Sequence, residues 1–352
     1  MGVFGKLSQL YVKFAIAKGE FVGNFEIYRR TLRFSIMRFV LTIVGILIVV
    51  ALPLITFFAT SAAGLEEGTS LIATGAALAV GFIIFVLVAR YCGYLYTAAQ
   101  VAMITEGVAH GSLPDDVCKA GKQAVKKRFA TSSVYFALWS ITKAITNEIS
   151  AGLNALSRTV EGDKPGPLGV IAGIVSAVVS VVLEYLNYCS LGWVFLNGNQ
   201  SAFKSTCDGA VIYFKNWKTL MKNSAKVIAI TIVSLAIIGG AFFAAAYFIL
   251  GSIAPLTNVL AEIDAAATME DGTAVPAGTS LVVLCVIIAL LIWSGIHNAV
   301  VKPYILVSVM RRYIEAGLAT APTPDAYDKL SGMSKCFNQA LDKARAEEAP
   351  AA

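Results

Sequence analysis

The chain has 352 residues, 57% of them apolar and only 14% charged, with a formal net charge of +6. Soluble domains carry about 25% charged residues, so this composition excludes an ordinary soluble globule and points to a helical membrane protein. No P-loop, HExxH, GxSxG or strand-borne GxGxxG pattern occurs, and the six cysteines at 92, 118, 189, 207, 285 and 336 stand singly. That pattern speaks against common catalytic motifs, a disulfide framework and a cysteine-rich zinc site, so we expect no enzyme, no cofactor and no metal.

Residues 1–38 carry Lys6, Lys13, Lys18, Arg29, Arg30, Arg33 and Arg38 against Glu20 and Glu26. This basic arm is too long for the start of a cleaved secretory signal, and Lys6 stands where a myristoylation motif needs Ser or Thr. It reads as an amphipathic helix on the membrane surface. A first span is expected at 39–60, with Pro53 as a kink. The loop 61–69 holds Glu66 and Glu67 and no basic residue. A second span at 70–98 contains Arg90, whose long side chain reaches toward the basic side by snorkelling.

Residues 105–129 form a polar segment that becomes strongly basic through Lys119, Lys122, Lys126, Lys127 and Arg128. Residues 130–154 carry a stripe of Trp139, Lys143, Asn147, Ser150 and Asn154 at helical spacing. Such a helix either crosses with its stripe inward or lies in the interface, and the distribution of basic loops favours crossing. After the Gly- and Pro-rich turn at 157–167, a fourth span at 168–197 carries Glu184 near its middle. A carboxylate at that depth costs roughly 2.5–3.5 kcal/mol even on lenient insertion scales, so it requires a cation, a proton or a polar cavity.

Residues 198–226 are basic again. A fifth span is expected at 227–253. The loop 254–278 contains Glu262, Asp264, Glu270 and Asp271 without any Lys or Arg, as an outer loop should. A sixth span at 280–301 continues past Pro303, a second expected kink, toward Arg311 and Arg312. Residues 314–352 read as a soluble tail that frays after Arg345.

The expected architecture is therefore all-α, with six spans within a membrane domain at 39–313 and amphipathic helices on the cytoplasmic or matrix-equivalent face, where both termini lie. Three segments, DDVCKAGKQAVKKRF, KSTCDGAVIYFKNWKTLMKN and KLSGMSKCFNQALDKAR, each read as a basic amphipathic helix with one cysteine, each following a hairpin of spans. Their partners would be the bilayer and its anionic lipids. Nucleic acid is not expected, because the basic residues lie between apolar spans and are not interleaved with aromatics on one face.

Intramembrane ionisable residues mark functional sites by default. Glu184 pairs most naturally with Lys143 across the hairpin of spans three and four, with Asn147 on the Lys143 stripe. Glu184, Asn187 and Tyr188 share one helical face, and His297 lies in the last span. Aromatic residues near an acid suit an organic cation, at about 0.5–2 kcal/mol per cation–π contact. The bland reading of the same residues is a polar contact that holds helices together.

The stretch VVLEYLNYC (181–189), then NGNQSAFKSTCDGAVIYFKNWKTLMKNSAKV (197–227), then the long last span with His297, resembles the C-terminal half of the choline transporter-like family. In that family an LEY-type span end leads into a cytoplasmic segment with Cys, Ala and a rhythm of Asn and basic residues. The resemblance extends over about 130–345 and implies solute transport with choline as substrate. The layout is also similar to uncharacterised bacterial six-span families. The first function expected is a solute transporter with an organic cation such as choline as substrate; the alternative is a non-catalytic membrane scaffold or subunit of a larger membrane complex, with a homo-oligomer among its forms.

Overall fold

The computed structural model describes residues 23–128, 185–216, 227–266 and 275–348, apart from the side chains of Glu67, Ala89 and Arg90. In chain order the helices are α1 (Asn24–Ala62), α2 (Glu67–Ala109), α3 (Val117–Arg128), α4 (185–196), α5 (Ala202–Lys215), α6 (Val227–Gly251), α7 (Ala254–Ala266), α8 (Thr279–Ala319), α9 (Pro324–Met333) and α10 (Lys335–Glu348). Among the described residues no strand occurs, and the protein is all-α. Four helices, α1, α2, α6 and α8, are long and apolar enough to cross a membrane. They carry the spans expected at 39–60, 70–98, 227–253 and 280–301. The span expected at 130–154, and 168–184 of the fourth, lie outside the described residues.

The chain divides into two compact units, Ala225–Lys302 and the remainder. In the larger unit α1 and α2 form an antiparallel hairpin. Gly64, at φ +67° in the turn between them, adopts a conformation that a side chain would penalise. Small residues let the helices approach: the Phe85 ring fills the space a side chain on Gly45 would need, and Val49 packs over Gly81. Close contact at small residues is the usual basis of helix association in lipid. Polar pairs tie the two ends, Thr60 Oγ1 to Ser70 Oγ at 2.6 Å, Ser35 Oγ to the Gln100 amide oxygen at 3.0 Å, and Arg38 to Thr97 Oγ1 at 3.0 Å. None of the most apolar 18 residues of α1 is buried by the protein, as expected of a face meant for lipid or for another helix.

The helices do not stop where the apolar runs stop. The boundary expected between a surface arm and a span at 38/39 falls inside α1, whose residues Ile27, Thr31, Phe34 and Ser35 are buried at helical spacing. Likewise α2 runs five residues into the segment expected to be polar from 105, because Val101, Ile104 and Val108 continue its buried stripe. It ends at Ala109, two residues before Gly111, whose φ of +73° is the left-handed geometry that terminates helices. The last span continues as α8 to Ala319, beyond the expected start of a soluble tail at 314. Its residues Ile305, Leu306, Val307, Met310, Tyr313 and Ile314 are among the most buried in the protein.

These helix extensions build a core outside the apolar runs. There α5 differs from the surface helix expected at 204–223. Every residue from Ser205 to Tyr213 is buried, because Gly209 and Ala210 let α4 and α8 close on it. The Tyr313 hydroxyl donates to the Gly209 carbonyl at 2.9 Å, and its ring meets Trp193 edge-on at 6.1 Å. Arg128, at the end of α3, caps the C-terminal turn of α4 by donating to the carbonyls of Val194 at 3.0 Å and Gln200 at 2.8 Å, where helix carbonyls lack partners and a cation is favoured. Helix α10 continues to Glu348, past the fraying expected after Arg345.

In the smaller unit α6 and α8 pair, and α7 occupies part of the loop expected at 254–278. Asp264 of α7 is buried and accepts from the Gly278 N–H at 2.8 Å and the Ser280 N–H at 2.9 Å, at the start of α8. These hydrogen bonds hold its carboxyl below the usual carboxylate range, led by the Ser280 side chain. Both spans contain one π turn, Leu235–Gly239 in α6 and His297–Val301 in α8. The second ends at Val301, immediately before Lys302-Pro303, where the proline has no N–H to continue the helical ladder.

Packing around Gly209 gives a direct test. A Cβ there would stand 3.0 Å from the Ser190 backbone and 3.1 Å from Trp193 Cβ. Gly209→Ala is expected to destabilise the protein by roughly 1–3 kcal/mol, read as a lower thermal midpoint in detergent by tryptophan fluorescence.

Candidate functional site

Two polar constellations emerge from this framework, one in each unit. The first joins the π turns of α6 and α8. Ser234 stands immediately before one π turn and His297 opens the other. Ser234 Oγ donates to the Thr231 carbonyl at 2.8 Å, receives Trp293 Nε1–H at 3.2 Å, and lies 3.1 Å from His297 Nδ1. A hydroxyl has one proton and two lone pairs. With the proton given to Thr231, the shortest contact, both lone pairs receive N–H donors. This assigns the proton of neutral His297 to Nδ1 and leaves Nε2 as the acceptor nitrogen. The Trp293 and His297 rings lie 5.1 Å apart. Gly239, also in the α6 π turn, leaves room for Trp293, whose Cβ would be 3.9 Å from a side chain there.

The second constellation is centred on Asp208 of α5 in the larger unit. Its carboxylate receives Gln200 Nε2 at 3.1 Å, the Tyr327 hydroxyl, and Lys204 Nζ at 3.4 Å. Lys204 also donates to the Tyr327 hydroxyl at 3.0 Å and stands 4.7 Å from the centre of that ring. The network secures α9 to α5. Beside it is a cavity of about 390 Å³, lined by one helical stripe of α9 (Pro324, Tyr327, Asp328, Ser331) and one of α10 (Leu341, Ala344, Arg345, Glu348). Burial raises the Asp208 carboxyl above its ordinary value of 3.8, against the opposing pull of Lys204. Burial also pushes the neighbouring Cys207 thiol up to about 12, so this cysteine stays protonated and serves packing.

The residues singled out from sequence distribute unevenly over these places. His297 belongs to the first constellation. Asn187 and Tyr188 lie on α4 in the larger unit, half-buried, with Tyr188 6.1 Å from the Tyr185 ring. Asn187 Oδ1 is buried without a hydrogen-bond partner among the described residues, as are Thr105 Oγ1 and Ser190 Oγ. Glu184, Lys143 and Asn147, and with them the proposed Glu184–Lys143 pair, lie outside the described residues, as does the side chain of Arg90. Sequence reasoning passed over Ser234, Asp208 and Tyr327. Asp208 carried a signal, an acid inside an otherwise basic and apolar helix, whereas Ser234 carried almost none.

No family model, curated protein or solved structure matches the chain. The likeness to choline transporter-like proteins therefore rests on the quoted motifs alone.

The raised Asp208 carboxyl links stability to pH. Because the folded chain holds this proton more tightly than the unfolded one, the contribution is fully present below about pH 3.8 and is lost as pH rises through the folded value. The thermal midpoint of Asp208→Asn minus that of the unsubstituted protein should therefore grow from pH 4 to pH 7. A difference that stays flat across this range would contradict the linkage.

Proposed function

We propose that this integral membrane protein is a non-catalytic scaffold or a subunit of a larger membrane complex, either homo-oligomeric or built with other membrane proteins. The observation that supports this reading most is the contrast between the spans and their extensions. The extensions of α1, α2 and α8 are buried with α5 in a packed core, while the most apolar stretches of the four candidate spans are from 0% to 17% buried by the protein itself. Faces this apolar require lipid or partner helices to cover them. In this reading the basic side, with both termini, faces the cytoplasm or an equivalent compartment.

One observation favours transport as a second reading. Ser234, Trp293 and His297 form a polar node within two candidate spans, at paired π turns, and both features recur at functional sites in membranes. Together with the resemblance to choline transporter-like proteins, this supports an organic cation such as choline as the substrate of that reading.

Assembly and flux separate the two. Extracted in polymer nanodiscs, the protein should run as an assembly larger than one chain, and Leu47→Trp with Leu87→Trp, on exposed faces of α1 and α2, should reduce it to single folded chains. Proteoliposomes should show no counterflow of labelled choline. Counterflow that disappears in His297→Ala while assembly persists would decide for transport. Ser234→Ala leaves the Trp293 and His297 donors without their acceptor and should cost about 1–3 kcal/mol of stability under either function, measured by thermal unfolding.

A further inference from the structure

The three basic segments marked in the sequence have different fates. In α5, Lys204 turns to Asp208, and Lys215 donates to the Ala321 carbonyl at 3.0 Å. In α10, Lys343 lies 5.5 Å from the centre of the Phe203 ring. Helix α3 keeps its charges outward. It buries only Val117, Gly121 and Val125, one residue per turn, which leaves Lys119, Lys122, Lys126 and Lys127 exposed. None of these four has an ion-pair partner among the described residues.

The register of α3 on α2 shows where this face lies. Leu113 packs at Gly107, 3.2 Å from where its Cβ would be, and Ala99 packs at Gly121, also at 3.2 Å. From Leu113 to Gly121 the chain advances by as many residues as α2 retreats from Gly107 to Ala99, so the two run antiparallel in step. At that register Lys127 comes level with Gly93. Gly93 in turn lies beside Arg38, whose Cδ would be 3.9 Å from a Cβ there.

Arg38 marks the edge of the apolar slab. Beyond it α1 has no charged residue to its end at Ala62. That run spans roughly 36 Å at the helical rise, enough for a hydrocarbon core of about 30 Å. The headgroup layer adds roughly 5–8 Å on each side. Helix α3 thus runs back toward the bilayer and ends with Lys126 and Lys127 at the depth of that layer, with Lys122 and Lys119 successive turns behind.

We infer that the exposed face of α3 is a docking surface for anionic phospholipid headgroups, with Lys126 and Lys127 as its principal contacts. Lysine ammoniums act as point charges without the fork geometry of arginine. The surface therefore selects lipids by net negative charge, not by headgroup identity. The inference rests on the chain being an integral membrane protein and is independent of whether it assembles or transports.

The test uses the full chain in nanodiscs of phosphatidylcholine with increasing phosphatidylglycerol, with retained lipids counted by native mass spectrometry. Each lysine in reach of anionic lipid is worth about fivefold. Lys126→Gln with Lys127→Gln should lower the preference for phosphatidylglycerol about tenfold or more, and phosphatidylserine should behave as phosphatidylglycerol does. Lys329→Gln with Lys335→Gln removes equal charge from exposed sites on α9 and α10 and should leave the preference unchanged. The inference is overturned if the α3 variant keeps its preference, if the control falls equally, or if inorganic phosphate competes as well as lipid. Assembly size, read on the same samples, reports separately on the scaffold role.

Discussion

The structure depends on helix continuity across the boundary between lipid and water. Backbone groups in hydrocarbon must find partners within their own helix, so a span that has crossed the apolar slab emerges as a regular helix with its ladder intact. In this protein α1, α2 and α8 do not end there. Each continues into a region where its side chains meet other helices instead of lipid, and Ile27, Ile104 and Met310 are fully buried there. The bilayer thus orients the helices, and their water-side ends supply a ready scaffold on which α3, α4, α5, α9 and α10 condense.

Polar contacts fix that condensation at a few points. Arg30 donates to the carbonyls of Leu113 at 3.2 Å and Asp115 at 3.3 Å, tying the loop before α3 to α1. Arg128 caps α4, and Asp208 gathers Gln200, Lys204 and Tyr327. Each interaction satisfies backbone or carboxylate groups that burial would otherwise penalise. Each also consumes a basic residue that hydropathy alone would leave facing solvent. Among the described residues, α3 is the helix on which lysines without such a partner cluster, with Lys119, Lys122, Lys126 and Lys127 all exposed along it. In the smaller unit the same economy of polar groups is met by Ser234, whose single hydroxyl serves Thr231, Trp293 and His297 between two widened helical turns.

Much of the architecture was legible in advance. The apolar runs after Arg38, after Glu67, from Val227 and from Thr279 announced the four candidate spans that the structure describes, and their length together with the scarcity of charge announced the all-α class. The boundaries were less legible, because a change from apolar to mixed composition marks the edge of lipid and not the end of a helix. Lys204 looked like a surface charge, since nothing near it in the sequence reveals Tyr327, which lies 123 residues away. His297 stood out as a rare ionisable residue in a span. Its partner Ser234 did not, because a serine in an apolar helix can bond its own preceding turn.

The sequence by itself marked the four described stretches that are long and apolar enough to cross a bilayer, and the basic residues that lie between them. Both are properties of local composition, and transfer between water and hydrocarbon reads composition residue by residue. Only the tertiary structure decided which basic helix is buried and which stays open, and which polar side chains meet. Those outcomes turn on residues distant in the chain closing over one face of a helix, and no local pattern records which face that will be.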